Sequence, residues 1–336
     1  MNKHATTLSA LALVCGLSAC NSSSDGLSEA ERDRNLTSSM APGETAAQQA
    51  TRAEGINISE GGTFFTGVHG TTTDENASDY PNFIAEADGG TAEIENIVAG
   101  VEEVSFPVNL DEIMGKLDAS TTEARLARNG ITLLNSRDIT GRIDREEVDL
   151  GAGSRIYGAW MDHAGFAVLT GGRVTEENDR EETITITGSV AGAFGDLTGS
   201  MPPRPKRCGS TGTCNINWRG VMVGTPAHGP HRHNQLQGDA VLTYDVTENH
   251  IDATFNNIKD IDRNANHSVT QVVFRNVPVN NDNGTYGSPV SADRIEGAFY
   301  GKDDPQTTSN EDHAETAGTF ESDGIIGAFG AKRTRQ

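Results

Sequence analysis

Alternation of apolar and polar positions is clearest in the last third of the chain. His250-Ile251-Asp252-Ala253-Thr254-Phe255 places Ile251, Ala253 and Phe255 on one side of an extended segment. Ile295-Glu296-Gly297-Ala298-Phe299-Tyr300-Gly301 does the same with Ile295, Gly297 and Phe299. The spacing predicts further strands at Trp218–Gly224, Ala240–Val246, Val269–Val279, Ala314–Phe320 and Ile325–Lys332, with a turn at Glu248-Asn249 before His250. Regular strands separated by turn residues predict an antiparallel barrel or sandwich. Small residues alternating with large ones suit a narrow, filled barrel whose strand glycines ease curvature.

Upstream the pattern is more broken. Glu103–Val108 alternates like a strand, with Pro107 pointing to an edge, and Asn109 is placed to cap a helix beginning at Leu110-Asp111-Glu112-Ile113-Met114. Ala124–Ala127 continues helix-friendly composition up to Asn129-Gly130. Tyr157–Trp160 and Phe166–Leu169 flank the polar break Asp162-His163, a hairpin signal, and Thr183–Thr187 alternates with period two. Glu176–Glu182 reads as a charged turn. Met201-Pro202-Pro203-Arg204-Pro205-Lys206-Arg207 reads as a stiff non-sheet connector and sets the domain boundary at 205/206.

The first residues carry a different pattern. Lys3 precedes the short apolar run Ala5–Val14, and Leu17-Ser18-Ala19-Cys20 ends it with small residues before a cysteine. A run this short cannot cross a hydrocarbon core of about 30 Å, so residues 1–19 read as a cleaved signal. The pattern is similar to a bacterial lipobox, which would leave Cys20 acylated and anchored in a lipid bilayer; the alternative is a secretory signal with an incidental cysteine. Residues 20–55 are rich in Ser, Glu, Ala, Gln and Thr with little to bury, and are expected to form a flexible tether. Of the four cysteines, Cys15 leaves with the signal and Cys20 takes lipid. Cys208 and Cys214 remain, and in an exported chain they are expected to close a small disulfide loop.

The formal net charge is −22, and losing Lys3 with the signal makes the mature chain more negative still. Such a surface repels nucleic acid and anionic headgroups. With 38 glycines and few aromatics, the mature chain reads as turn-rich and mainly β.

Candidate chemistry is sparse. His228-Gly229-Pro230-His231-Arg232-His233 sets three imidazoles within six residues, donors suited to Zn²⁺, Ni²⁺ or a haem iron, although no fourth ligand stands beside them and chance clustering on a polar loop is the default. Asp260-Ile261-Asp262-Arg263-Asn264-Ala265-Asn266 spaces oxygen donors as calcium loops do, but Ala265 and Gln271 stand where an EF-hand needs Gly and Glu, so it reads as a solvated hairpin loop. Asn280–Gly284 reads the same way. There is no G-x-S-x-G elbow, no H-E-x-x-H pair and no P-loop, and Asp162 beside His163 is too common a pair to nominate a dyad; an enzyme is the weakest class, and no cofactor is expected.

Gly297-Ala298-Phe299-Tyr300-Gly301, Glu315-Thr316-Ala317-Gly318-Thr319-Phe320 and Gly327-Ala328-Phe329-Gly330-Ala331-Lys332-Arg333 resemble the closing strands of the transferrin-binding protein B family, which includes factor H-binding and haemoglobin-binding surface lipoproteins. The resemblance covers Trp218–Arg333, less specifically Tyr157–Leu169. It implies a handle-like β-rich domain over 56–205 and an eight-stranded antiparallel barrel over 206–336, behind a lipidated tether. It also implies a non-catalytic lipoprotein on the surface of a Gram-negative outer membrane, binding a protein or an iron- or haem-carrier and passing cargo to an outer-membrane transporter. The chain has room for one handle–barrel lobe where the transferrin receptors carry two. The loops expected to bind are Pro226–Leu236, Asp260–His267 and Lys302–Asp312, with Arg232, Asp260, Asp262, Arg263 and Asn264 beside the three histidines. The competing reading is a periplasm-facing structural or adhesive lipoprotein without a dedicated ligand.

Overall fold

Twenty β-strands and no α-helix form among the described residues of the computed structural model, which are 62, 64–71, 86–88, 91–93, 108–109, 123–124, 129–137, 140–143, 146–149, 154–177, 183–205, 208, 214–288, 293–301 and 312–334. The first eleven strands are β1 (Phe64–Thr71), β2 (Glu86–Asp88), β3 (Thr91–Glu93), β4 (Val108–Asn109), β5 (Glu123–Ala124), β6 (Leu134–Arg137), β7 (Thr140–Ile143), β8 (Glu146–Asp149), β9 (Arg155–Trp160), β10 (Ala164–Glu177) and β11 (Thr183–Gly195). They are followed by β12 (Asn215–Pro226), β13 (Leu236–Asp245), β14 (His250–Asp260), β15 (Ala265–Asn266), β16 (Gln271–Pro278), β17 (Thr285–Ser288), β18 (Arg294–Tyr300), β19 (Glu315–Ser322) and β20 (Ile325–Arg333).

An N-terminal sheet runs β1-β11-β10-β9-β6-β5, and the expected Tyr157–Leu169 hairpin is its β9–β10 pair. The C-terminal sheet runs β14-β13-β12-β20-β19-β18-β17, with β16 and the short β15 both on β14. Every predicted strand of the last third lies in it. Eight of its strands follow one another in antiparallel order from β16 to β17. Between those two ends one bridge forms, Val279 to Tyr286; a continuous ladder closing the ring is absent among the described residues.

Inside the curve of the C-terminal sheet, Trp218, Leu242, Phe255, Phe274, Phe299, Phe320 and Phe329 make one buried cluster, with Phe255 stacked on Phe320 at 4.4 Å between ring centroids. Each such side chain stabilises by about 2 kcal/mol on burial. A second cluster lies on the other face. Tyr157, Ala159, Phe166 and Val168 from β9–β10 pack with Val221 and Val223 of β12, Ala298 and Tyr300 of β18, Ala317 of β19 and Ala328 of β20. β12, β18, β19 and β20 are therefore buried on both sides. This gives the glycines of the closing strands a second role beside curvature: a Cβ on Gly330 would run into the Phe166 ring, so its bareness seats the N-terminal sheet. The two sheets belong to one compact unit.

One expectation upstream changes. Ala124 is not helical: it pairs with Leu134 in an antiparallel ladder, which outweighs its helix propensity. Asn129-Gly130, expected to end that helix, form a turn, both residues taking positive φ (51° and 78°). The predicted helix at Leu110–Met114, the signal 1–19, Cys20 and the tether 20–55 lie outside the described residues.

Candidate functional site

The predicted loops meet at one end of the C-terminal sheet. β12 stops at Pro226, and the chain turns twice before β13: Arg232 N donates to Gly229 O at 3.1 Å, and Asn234 N to His231 O at 3.1 Å. Ala227 N donates to Gly324 O at 2.8 Å, which ties this loop to the β19–β20 turn. After β14, Asp260 folds the next loop, its Oδ1 accepting from the backbone N–H of Arg263, three residues on, at 3.0 Å. Its Oδ2 accepts from Asn234 Nδ2 at 2.8 Å, and the residue is 1% exposed. Ile261 N donates to Gln235 O at 2.9 Å, and Gln235 N donates to Asp262 Oδ2 at 2.9 Å. The two loops are thus one hydrogen-bonded piece of backbone.

That piece is fixed in turn to the N-terminal sheet. Arg155, the first residue of β9, forks onto Asp262 (Nη1–Oδ1 2.6 Å, Nη2–Oδ2 2.7 Å) and donates from Nη2 to His233 O at 2.9 Å. Asn135 and Gln235, both buried, exchange amide hydrogen bonds of 3.0 and 3.1 Å. Ser189 Oγ lies 2.8 Å from His233 Nδ1, and Tyr157 Oη donates to Gln237 Oε1 at 2.8 Å. A planar guanidinium meeting a carboxylate through two bonds fixes orientation as well as distance. The polar layer therefore holds the loops in one conformation.

The three histidines are not brought together. His233 sits at φ 71° with its ring turned inward to Ser189, His228 rests against Gly324, and His231 is exposed. No group of three or more His, Cys, Asp or Glu is arranged to hold a metal ion among the described residues. On the largely exposed loop 260–266, Asp260 is buried and held by Asn234 and Arg263 N, while Asp262 is exposed and paired with Arg155. Arg263 and Asn264 face solvent and Arg232 is half-buried. Of the third predicted loop only Asp312 is described. Cys208 and Cys214 form the expected disulfide.

At the opposite end a buried carboxylate joins the same two sheets. Glu315 of β19, 1% exposed, accepts from the backbone N–H groups of Asp162 (2.9 Å) and His163 (2.8 Å) in the β9–β10 turn. Lys332 bonds Asp162 at 2.7 Å and stands 3.7 Å from Glu315. Burial pushes the Glu315 carboxyl above its usual range, while Lys332 and the two N–H groups act against it and Asp162 adds to it. Asp162 thus serves Lys332. His313 is buried beside it, its Nε2 donating to Ser200 O at 2.9 Å, so that nitrogen is no base toward the Ser200 hydroxyl; burial lowers the ring's pKa.

Arg155, Asn135, Ser189 and Glu315 were not nominated by the sequence. No local pattern marks them, because each finds its partner across the interface, from 44 to 153 residues away.

No family model matches the chain, and no curated protein matches it. Among solved structures it is similar to HpuA from Kingella denitrificans in complex with human haemoglobin, at 10% identity and TM-score 0.32, over 65% of this chain and 89% of that one. It is also similar to a variant of transferrin-binding protein B from Haemophilus parasuis (12%, TM-score 0.31, 82% of this chain) and to intact Ap-TbpB with N and C lobes (10%, TM-score 0.27, 80% of this chain). The matches span 46% of each of those two longer chains. At these identities and TM-scores the likenesses bear no weight for ligand or mechanism, which rest on the chain's own residues.

Proposed function

We propose that the chain is a non-catalytic lipoprotein, anchored through Cys20 in a Gram-negative outer membrane and exposed at the surface. It binds a protein or an iron- or haem-bearing ligand on the rim formed by residues 227–234 and 261–264, and holds that ligand or passes it to a transporter. One observation carries this reading: the rim's backbone is fixed from below by buried partners, while His228, His231, Arg263 and Asn264 stand outward on it. Binding residues on a preordered loop lose little entropy on docking. The lipobox-like Leu17–Cys20 and the closing-strand resemblance support the location. His228 and His231 are available as single imidazole donors to a haem iron, not as a joint metal centre.

Ties at both ends of the interface also suit a rigid periplasm-facing spacer or adhesin. Protease shaving of intact cells, read with an antibody to the C-terminal sheet, separates the two. Alongside it, saturable binding of human haemoglobin and of human transferrin to the full chain is compared with a variant whose residues 228–232 are replaced by Gly and Ser. Surface cleavage, with capture that disappears in the variant, is expected. Full protection until the outer membrane is permeabilised, with no saturable capture, overturns the surface reading in favour of the spacer.

A further inference from the structure

Within the rim, charge is sorted by pairing. The chain as a whole is strongly acidic, with a net charge of −22, yet the acids of these two loops are engaged by internal partners, Asp260 buried and Asp262 paired at the surface. Asp260 is spent on Asn234 Nδ2 and on the backbone of Arg263, and Asp262 on Arg155 and on Gln235 N. Arg232, Lys259 and Arg263 have no ion-pair partner among the described residues, and Lys259 and Arg263 are exposed. Two cations elsewhere are paired: Arg294 with Glu296 and Lys332 with Asp162. Hydrogen bonds at 234–235 and 260–262 join the loops that carry Arg232 and Arg263, and Lys259 is exposed beside them at the end of β14. One exposed acid, Asp323, stands on the adjoining turn.

We propose that this rim docks a carboxylate-bearing protein segment: a short acidic patch or loop of the partner, received by Arg232 and Arg263 with Lys259 at its edge. The inference rests on the binding role proposed above and names the partner's chemistry. Two features favour a compact acidic segment over an extended polyanion. At physiological ionic strength, charges more than about 8 Å away are largely screened, so a partner confined to the rim meets mainly the outward cations. A long polyanion would be carried past them onto the acidic remainder of the chain, where it is repelled. Guanidinium groups also match carboxylates in geometry, which makes the contact specific as well as attractive.

The test uses the full chain in detergent and a fluorescein-labelled hexaglutamate peptide at low salt, followed by polarisation, with hexalysine and heparin as comparison probes. Saturable hexaglutamate binding that weakens with added salt is expected. Arg232→Glu with Arg263→Glu is expected to weaken it at least tenfold, whereas the paired Lys substitutions retain it within about threefold. Arg263→Glu alone, at an exposed position, guards against a folding defect in the double variant and is expected to give an intermediate loss. Absence of saturable hexaglutamate binding, or equal binding by the charge-reversed variant, overturns the proposal. Heparin binding more tightly than hexaglutamate overturns it in favour of a polyanionic glycan. Haemoglobin or transferrin capture that needs residues 228–232 but ignores the charge reversal leaves the binding role standing and removes this inference alone.

Discussion

Asn135 and Gln235, one hundred residues apart, hold each other through both amide hydrogen bonds inside the interface between the two sheets. Each satisfies a group that would otherwise be buried without a partner, and together they join β6 to the loop before β13. Truncating one strands the other. Gln235→Ala is expected to destabilise the chain by about 1–3 kcal/mol, the cost of a buried unsatisfied amide. Replacing both by apolar residues of similar shape, Asn135→Leu with Gln235→Met, is expected to cost less than the single change. Urea unfolding of the two variants checks this; equal or additive losses would show that the amides are not a coupled pair.

The contact of Phe166 with Gly330 leads to a second expectation. A methyl on Gly330 meets the Phe166 ring and approaches the Met161 side chain, so the N-terminal sheet must lift or distort. Gly330→Ala is expected to lower stability by about 1–3 kcal/mol through overpacking. Phe166→Leu, destabilising alone, is expected to lose part of its penalty in the Gly330→Ala background. A thermal-melt double-mutant cycle reads the coupling, and strict additivity would mean the two residues do not share the space.

These two contacts show where the sequence is legible and where it is not. Ile251, Ala253 and Phe255 alternate visibly because β14 is wet on one face, and its strand was readable by period alone. β20 is buried on both faces, so Gly327–Arg333 shows no polar alternation; its strand was legible from its apolar run and turn boundary, its seam role only through a motif. What its glycines and alanines touch depends on β10, about 160 residues earlier in the chain, and no local window holds that information. β17 is four residues long and contains Gly287, too little for a pattern, and β1 becomes a strand by pairing with β11. The rim shows the same division. Its loops were visible as polar, histidine-rich breaks between strands. That His233, Asp260 and Asp262 are engaged by internal partners was not, because Arg155 and Ser189 decide it.

Acidification should act in opposite directions on two buried groups, Glu315 and His313. Glu315 has its folded-state pKa raised above the ordinary 4.5, chiefly by burial. The stability it contributes is therefore fully present below its unfolded value and lost as pH rises through the folded one. His313 is lowered from 6.5, again chiefly by burial, so its contribution is present above 6.5 and lost as pH falls through the folded value. Melting temperatures between pH 4 and 8 are expected to show wild type gaining on Glu315→Gln as pH falls toward 4.5. Wild type should lose ground to His313→Asn below 6.5; asparagine suits the positive φ (56°) at that position. Slopes of the same sign would contradict the burial of one of the two groups.

Arg155 gives the most direct link between the fixed interface and binding. Its guanidinium reaches two oxygens of Asp262 and the carbonyl of His233, so it holds both rim loops at once, and its side chain is only 17% exposed. A lysine carries the same charge but cannot fork. Arg155→Lys is expected to cost about 1–2 kcal/mol and to speed amide exchange across residues 229–235 by at least tenfold, since the loops then sample other conformations. Ligand capture should weaken with it, although the outward groups that would meet the ligand are untouched. Asp262→Asn should reproduce the effect, and the pair together should add little to either alone, because both changes break one contact. If amide exchange rises while capture stays constant, the rim does not need to be preordered. The binding surface would then lie on another part of the chain.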